Sequence, residues 1–203
     1  MPRPPGDKRD VILASALRAF LERGYDGSTV SHVADYARIA PATIYLYFEN
    51  KQGLLNELYR GWKEALIVAT RIEHASEEDP ASLFAEFWGK LLSFGRDHPN
   101  AYVFLVLTQH SKHLDAENQG LDSVFFAPVE SVLNRMRESK LLRPVPLTVA
   151  TGIIRGTADK LIGEVKEGNL RLDDDLVRES AQMCWAALTT EVGRWAGSTT
   201  ATD

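Results

Sequence analysis

The sequence predicts an all-α fold of about nine helices, and three observations support this prediction. Apolar residues recur at i, i+3, i+4 and i+7 through most of the chain, which is the spacing of one helix face. No segment shows the alternation of apolar and polar residues that a half-buried strand needs. Proline stands near predicted helix starts at Pro80, Pro99 and Pro146, and Gly168 follows a predicted end.

A first helix with one apolar face is followed by a second, shorter helix. Gly24 suits the left-handed position that ends the first helix, and Ser28 or Thr29 can cap the second. The inner faces are formed by Leu13, Ala16, Leu17 and Phe20 in the first helix and by Val30, Val33, Ala34 and Ala37 in the second.

A third short helix, Pro41–Phe48, is predicted after only three residues. Proline is tolerated at a first helical position, and Ile44 and Phe48, four residues apart, form the inner face. Two short helices joined by a tight turn form a helix-turn-helix, whose second helix has the size that fits a DNA major groove. The residues left facing outward are Ala42, Thr43, Leu46 and Tyr47.

The chain beyond residue 50 predicts six further helices. Asn50 can cap a long helix that runs to about Arg71. Pro128 falls inside a later helix and would kink that helix unless it starts a new one. We therefore place a three-helix domain at residues 1–50 and a larger helical domain at residues 51–203. The five later helices lie near residues 81–97, 100–112, 121–139, 146–166 and 174–195.

Charge is distributed unevenly along the 203 residues. The net charge is −5, yet residues 1–51 hold seven Lys and Arg against six Asp and Glu, a net charge of +1. Residues 52–203 are acidic, which argues against DNA binding along the whole surface and permits a small, local contact. The longest apolar runs are too short to span a bilayer. We expect a soluble cytoplasmic protein with no membrane partner.

Residues 11–55 hold a pattern that is specific as a set. It comprises Ala16, Phe20 and Gly24, then Thr29-Val30, Val33-Ala34, Ala37, Thr43-Ile44-Tyr45-Leu46-Tyr47-Phe48, Lys51 and Leu54-Leu55. This pattern resembles the TetR family of bacterial regulators. The resemblance implies a homodimeric transcriptional repressor that binds double-stranded DNA through the helix-turn-helix and responds to a small-molecule effector.

The outward face of the third helix suits DNA contact. The hydroxyl and methyl groups of Thr43 suit a phosphate oxygen or a thymine methyl. The hydroxyls of Tyr45 and Tyr47 can donate to phosphates, although for Tyr45 a packing role stays open. Leu46 can make only apolar base contacts. Pro41 opens this helix, and the small side chain of Ala42 permits close approach.

Lys51 lies in the first turn of the long helix, where the helix dipole disfavours a cation by ~0.3–1 kcal/mol. A phosphate docked at this helix end would relieve that penalty. In the TetR family the matching lysine and tyrosines contact the DNA backbone. The threonine before the second helix commonly does so as well. The resemblance therefore implies phosphate contacts for Lys51, Tyr45, Tyr47 and Thr29.

Three positions depart from the family pattern. Arg38 stands where glycine is usual in the turn, and a non-glycine residue in a left-handed conformation costs ~1–2 kcal/mol. Ala40 replaces the usual Ser or Thr cap, at a cost of ~1 kcal/mol, and Ala42 replaces a common glycine. These departures do not remove the motif, but the rigidity of the turn and the base contacts cannot be carried over from the family. A phosphate contact by Arg38 could offset the cost of the turn.

The resemblance also implies a ligand pocket in the second domain. A pocket needs apolar walls and a few orienting polar groups, and large apolar residues are frequent between residues 81 and 136. We expect a small, largely apolar ligand, although the same residues could simply fill a core. The candidate lining residues are Phe87, Trp88, Tyr102, Thr108 and Phe126.

The last two helices are candidates for the dimer interface, as in the resembled family. Gly152 and Gly156 are four residues apart and permit the close approach of another helix. Leu188 and Trp195 lie on one apolar side of the last helix. Two such helices from each partner would form a four-helix bundle. Packing within one chain is the alternative.

The sequence offers no catalytic constellation, metal site or cofactor motif. His110 and His113 lack a third ligand. We therefore predict a regulator that is not an enzyme and has no cofactor. Two alternatives stay open: a helical small-molecule-binding protein or enzyme with a non-functional helix-turn-helix, and a scaffold that binds protein through Leu46 and Tyr47. Salt-dependent binding to a palindromic duplex separates the first function from both alternatives.

Overall fold

The computed structural model describes residues 8–72, 79–106 and 111–190. Within these ranges nine α-helices and one 3-10 helix account for the regular structure, so the all-α prediction is confirmed. An isolated backbone bridge joins Leu142 and Thr189. The helices are α1 Lys8–Gly27, α2 Val30–Ala37, α3 Pro41–Ile44, α4 Lys51–Ala69, α5 Pro80–Asp97, α6 Pro99–Val106, the 3-10 helix Ser111–His113, α7 Ala116–Glu138, α8 Leu147–Lys166 and α9 Asp174–Leu188.

The chain divides into two compact units. The N-terminal unit comprises residues 1–65 and 100–122, and the C-terminal unit comprises residues 66–99 and 123–203. Both α4 and α7 contribute residues to both units. A domain boundary at residue 50 stays a prediction.

Helix α1 has a left-handed residue close to its end. Gly24 has φ 68° and ψ 169°, a conformation that suits glycine because it lacks a Cβ. The helix resumes after it and ends at Gly27, three residues beyond the predicted end. The buried face of α1 is also rotated from the predicted one, because Leu13 and Leu17 are only half-buried. Its buried apolar residues are Ile12, Ala16, Ala19 and Phe20.

The core of the C-terminal unit is built around α5, which contacts both α8 and α9. The indole of Trp88 is fully buried and donates a hydrogen bond to the Ser180 hydroxyl at 3.0 Å. Phe84 packs between Trp88 and Trp185, with ring centroids 5.7 and 5.6 Å away. A Cβ on Gly95 would lie 2.3 Å from Ile162, so only glycine lets α8 approach α5 this closely.

Three predicted boundaries in the later helices are wrong, and one of them is the end of α9, which lies at Leu188 rather than near residue 195. The predicted α-helix does not reach residue 112, because residues 111–113 form a short 3-10 helix. Helix α7 begins at Ala116, five residues early, because the Asp115 carboxylate accepts a hydrogen bond from the Asn118 backbone N–H at its start. Helix α7 also runs through Pro128 as one element, so Pro128 does not start a new helix. No helix in the described ranges is long and apolar enough to cross a membrane.

Candidate nucleic-acid interface

Residues 41–48, here called the recognition segment, are fixed by two buried side chains and leave the others at the surface. Ile44 and Phe48 are 1% and 4% exposed, as the spacing of the inner face predicts. Leu46 is 82% exposed, and Tyr45 and Tyr47 are 55% and 39% exposed. Pro41 and Ala42 are also exposed, and Thr43 is half-buried. The predicted outward face therefore exists, and it includes Tyr45, for which packing had been an alternative.

The recognition segment is a shorter α-helix than the sequence predicts. Helix α3 ends at Ile44. The chain then continues as a turn in which the backbone N–H groups of Leu46 and Tyr47 donate to the carbonyls of Thr43 and Ile44. These two bonds span three residues, as in a 3-10 turn, whereas the Phe48 backbone N–H donates to the Ile44 carbonyl across four residues. Ala40, at the N-cap of α3, makes no side-chain capping bond, as its methyl group requires.

The turn between α2 and α3 depends on Arg38. Its backbone has φ 55° and ψ 44°, so the left-handed conformation expected of the usual glycine is adopted by an arginine. The Arg38 backbone N–H donates to the carbonyls of Ala34 and Asp35 and so closes the C-terminus of α2. The Arg38 side chain is exposed.

Thr29 is the N-cap of α2. Its hydroxyl oxygen accepts a hydrogen bond from the His32 backbone N–H at 3.2 Å, and its own backbone N–H donates to His32 Nδ1 at 3.3 Å. This reciprocal pair is a capping box that fixes the start of α2. Thr29 is exposed, and its hydroxyl proton is not used by the capping box. The side chain can therefore cap α2 and donate to an outside acceptor.

Lys51 has a role within the chain that its sequence position did not suggest. Its ammonium donates to the carbonyl oxygens of Tyr25 and Ser28, each at 2.9 Å, and lies 4.1 Å from the centroid of the Tyr25 ring. These carbonyls lie at the negative end of α1, so the cation is stabilised there without any phosphate. The helix dipole at the start of α4 therefore gives no reason to expect a phosphate at Lys51. A phosphate contact through the remaining N–H stays a prediction.

Asn50 caps α4, as predicted. Its side-chain oxygen accepts a hydrogen bond from the Gly53 backbone N–H at 2.8 Å. This bond closes the first turn of α4, and the Lys51 ammonium joins the same turn to the end of α1. The recognition segment is thus fixed by its apolar anchors, and the chain that follows it is fixed by polar bonds.

A buried pair of asparagines connects α4 to the chain that precedes and opens α7. Asn56 and Asn118 are 7% and 0% exposed, and the Asn118 amide donates to the side-chain oxygen of Asn56 at 2.8 Å. The Asn56 oxygen also accepts the Asp115 backbone N–H at 2.8 Å, and its amide donates to the His113 carbonyl at 3.2 Å. Sequence reasoning missed this network, since an asparagine on a helix ordinarily indicates an exposed position.

The same stretch of chain contacts the end of α1. The Lys112 ammonium lies 2.9 Å from Asp26, and His113 Nε2 lies 3.1 Å from the same carboxylate. The hydrogen bond from Lys112 is the main reason that the pKa of Asp26 lies below its usual value. The His113 ring is half-buried and packs at a tilt against the Tyr25 ring, with centroids 4.1 Å apart. His110 lies outside the described residues.

The predicted ligand-binding residues occupy different surroundings. A cavity of about 10 Å³ in the C-terminal unit includes Phe87 in its lining. Trp88 is committed to Ser180, while Phe126 is half-buried beside Phe125 and lies 5.8 Å from the Arg155 guanidinium. Tyr102 is buried in the N-terminal unit, and Thr108 lies outside the described residues. The cavity lining comprises Ile72, Leu83, Phe84, Phe87, Pro128, Val129, Val132, Leu133 and Ile154.

The dimer face stays a prediction for α8, where the two glycines lie on an open surface, but Leu188 of α9 is buried within its own chain. Gly152 and Gly156 are exposed, and a Cβ at either would meet no atom within 4 Å. Leu188 is 1% exposed because its side of α9 faces the core of its own chain, where Cys184 is also buried. The outward side of α9 instead presents Met183, which is 75% exposed. Trp195 lies outside the described residues.

Two family models match the chain. The bacterial regulatory proteins of the tetR family match residues 12–58, and the tetracyclin repressor-like C-terminal domain matches residues 68–190. The transcriptional repressor BepR of Brucella suis is 27% identical over 140 residues, which cover 66% of this chain. The chain spans 61% of the length of this curated relative.

Solved structures share the fold over nearly the whole chain. A TetR family transcription regulator from Marinobacter aquaeolei has a TM-score of 0.75 at 22% identity, covering 90% of this chain and 95% of its own. The regulator FadR from Bacillus subtilis, in complex with stearoyl-CoA, has a TM-score of 0.64 at 21% identity, with coverages of 89% and 97%. The second family model alone matches more than half of the chain. This protein therefore belongs to the TetR family of bacterial regulatory proteins.

Proposed function

We propose that this protein is a cytoplasmic, homodimeric transcriptional repressor that leaves a palindromic operator when a small, largely apolar ligand binds. It acts by binding rather than by catalysis. The observation that supports this most is the recognition segment, in which Tyr45, Leu46 and Tyr47 are exposed while Ile44 and Phe48 are buried. An exposed group of three large side chains on a rigidly anchored segment favours an external partner.

The chemistry of the exposed face suits DNA. Hydroxyl groups on Thr29, Tyr45 and Tyr47 can donate to phosphate oxygens and fix the position of the segment on the duplex. Leu46 can contact only apolar base groups such as the thymine methyl, and Thr43 can contact either kind of group. Family membership and the likeness to the repressor BepR support the same partner.

Dimerisation would place two recognition segments on one face of the DNA. A two-fold dimer needs them about 34–36 Å apart, one turn of the duplex. The exposed glycines of α8, with Val149 at 46% exposure and Met183 of α9, offer an apolar surface that a second copy of the chain would cover. Leu188 has no part in this proposal, because its side chain already belongs to the core.

The dimer is tested by filling the glycine surface. Gly156→Leu places a bulky side chain where the protomer has open space, so the chain should stay folded while the dimer dissociates. Gly61→Leu is the matched control, since Gly61 is also an exposed helical glycine with no atom within 4 Å of a Cβ. Sedimentation equilibrium measures the mass of both variants. A dimeric Gly156→Leu variant would place the interface elsewhere.

The ligand would enlarge the cavity of the C-terminal unit. At about 10 Å³ it holds no more than one water, so a ligand must separate its apolar walls. That the structurally similar FadR was solved with stearoyl-CoA supports an apolar ligand here. A ligand that prefers the opened form shifts the protein toward that form. Since α4 contributes residues to both units, a shift of α4 would change the spacing of the two recognition segments.

DNA binding is tested with a duplex from the region upstream of the protein's own gene. Tyr47→Ala and Leu46→Ala should each weaken binding by about tenfold, which corresponds to the loss of ~1.4 kcal/mol. Val124→Ala is the matched control, because it also removes an exposed apolar side chain. Lys51→Ala is less informative, since it also breaks the bonds to Tyr25 and Ser28. Wild-type protein that binds neither this duplex nor any inverted repeat would contradict the proposal and favour a ligand-binding protein without DNA activity.

A further inference from the structure

The helix-turn-helix contains little positive charge. From Ser28 to Asn50 the chain holds one residue of the Lys or Arg type, Arg38, against Asp35 and Glu49. DNA affinity depends strongly on cations that neutralise phosphates and release their counterions. If this segment binds DNA, its affinity should therefore depend on whether the single arginine can reach a phosphate.

Several cations that flank this segment are engaged within the chain. Lys51 donates to two backbone carbonyls, as described above. Arg18 donates to Glu22 at 2.8 Å and lies over the Tyr36 ring, and Arg9 is paired with Glu57. Moving Arg9 or Arg18 onto a phosphate would break existing contacts, and Lys51 has one ammonium N–H left after its two bonds. Their contribution to DNA affinity is correspondingly reduced.

Arg38 differs from these cations in being unengaged. Its side chain is exposed, and the structure records no hydrogen bond or ion pair to its guanidinium from any described residue. The guanidinium is a cation with five N–H donors. Arg38 also lies in the turn that directly precedes the recognition segment.

The backbone of Arg38 gives a second reason to look for a role. A residue with φ 55° is disfavoured by its own Cβ, and glycine or asparagine would form the same turn at lower cost. The capping bonds from this residue come from its backbone N–H, so the arginine side chain contributes nothing to them. Strained residues of this kind cluster at functional sites, which favours a role for the side chain.

We propose that the Arg38 side chain contacts a DNA phosphate next to the groove that the recognition segment enters. Arg38 would then supply the main positive charge of the helix-turn-helix toward the DNA backbone. This proposal rests on the DNA-binding function proposed above. The guanidinium would form a charge-assisted bond with one phosphate, which positions the segment without reading sequence. The strained turn is the cost of placing a cation at this point.

The proposal is tested with Arg38→Asn, which tolerates the left-handed backbone but removes the charge, and with Arg38→Lys, which keeps the charge. Arg171→Asn is the matched control, because Arg171 is another exposed arginine, located in the C-terminal unit. Dissociation constants are measured between 50 and 300 mM KCl, which is about the range where phosphate contacts dominate. Two duplexes of equal length are used, one from upstream of the gene and one of scrambled sequence.

Arg38→Asn should weaken binding to both duplexes by about tenfold, the value of one charge-assisted hydrogen bond. The slope of log affinity against log salt should fall by about 0.9, the value for one phosphate. Arg38→Lys should keep the wild-type slope, and Arg171→Asn should change neither quantity. The melting temperature of Arg38→Asn should equal or exceed that of the wild type, so its loss of binding cannot come from unfolding.

Three outcomes would overturn the assignment of Arg38. These are an unchanged salt slope in Arg38→Asn, a loss confined to the upstream duplex, or a melting temperature below wild type with an equal loss in Arg38→Lys. The second outcome would indicate a base contact, and the third a structural role. Failure of the proposed function gives a different result, because the wild-type protein would then bind neither duplex at any salt concentration.

Discussion

The recognition segment and the α5–α8–α9 core use large side chains in opposite ways. In the segment, Tyr45 and Leu46 are more than half exposed, and only Ile44 and Phe48 fix the backbone. In the core, Trp88, Phe84 and Trp185 are packed against each other and the adjoining cavity is about 10 Å³. The first region already presents its large side chains at the surface. The second is closed and must open before it can hold a ligand.

The largest expected effect on stability comes from truncating a buried anchor of the recognition segment, compared with truncating an exposed residue of the same segment. Ile44→Ala removes a buried side chain and should lower the free energy of unfolding by about 2–5 kcal/mol. Leu46→Ala, two residues away, should change it by less than about 0.5 kcal/mol, since Leu46 is 82% exposed. Urea denaturation measures both. Equal losses in the two variants would mean that Leu46 is covered in solution.

Two glycines of α5, Gly95 and Gly89, test how tightly α5 packs against α8. Gly95→Ala should destabilise by about 1–3 kcal/mol, because a Cβ would lie 2.3 Å from the buried Ile162 side chain, which has little room to move. Gly89→Ala, on the same helix with no atom within 4 Å, should instead stabilise by about 0.5–1 kcal/mol through helix propensity. Thermal unfolding distinguishes the two. A tolerated Gly95→Ala would indicate that α5 and α8 can separate at little cost.

The apolar anchors of the segment could be predicted from sequence, whereas the polar bonds around it could not. Ile44 and Phe48 are four apart among outward-facing residues, so their spacing alone indicates one face. The contact of Lys51 with two carbonyls of the α1 end depends on where α1 and α4 meet, which no local pattern records. Leu188 shows what a local apolar pattern cannot predict. An apolar stripe predicts burial, but it does not say whether the same chain or a second copy covers it.

The buried asparagines give a prediction of intermediate size. Asn118→Asp keeps the shape of the side chain but removes the N–H donor that Asn56 accepts, and it buries a carboxylate beside the Asn56 oxygens. We expect a loss of about 1–3 kcal/mol, the cost of an unsatisfied buried polar group. Asn134→Asp is the control, since Asn134 is only half-buried on the same helix. Urea denaturation at pH 7 measures both, and an equal stability of the two variants would contradict a structural role for the pair.

The smallest expected effect concerns the Asp26 carboxylate at the end of α1. Its pKa in the folded protein lies below the usual 3.8, chiefly because Lys112 donates a hydrogen bond to it. A carboxyl with a lowered folded pKa contributes stability above its unfolded pKa and loses that contribution as pH falls through the folded value. Asp26→Asn should therefore flatten the loss of stability below about pH 4 and leave the slope near neutral pH unchanged. Because Asp26 is exposed, the effect should also shrink at 1 M salt, where surface ion pairs are screened. Melting temperatures between pH 3 and 7 measure the change. If the melting temperature of Asp26→Asn falls with pH as steeply as that of the wild type, the acid sensitivity comes from other carboxylates with lowered pKa values, such as Asp79.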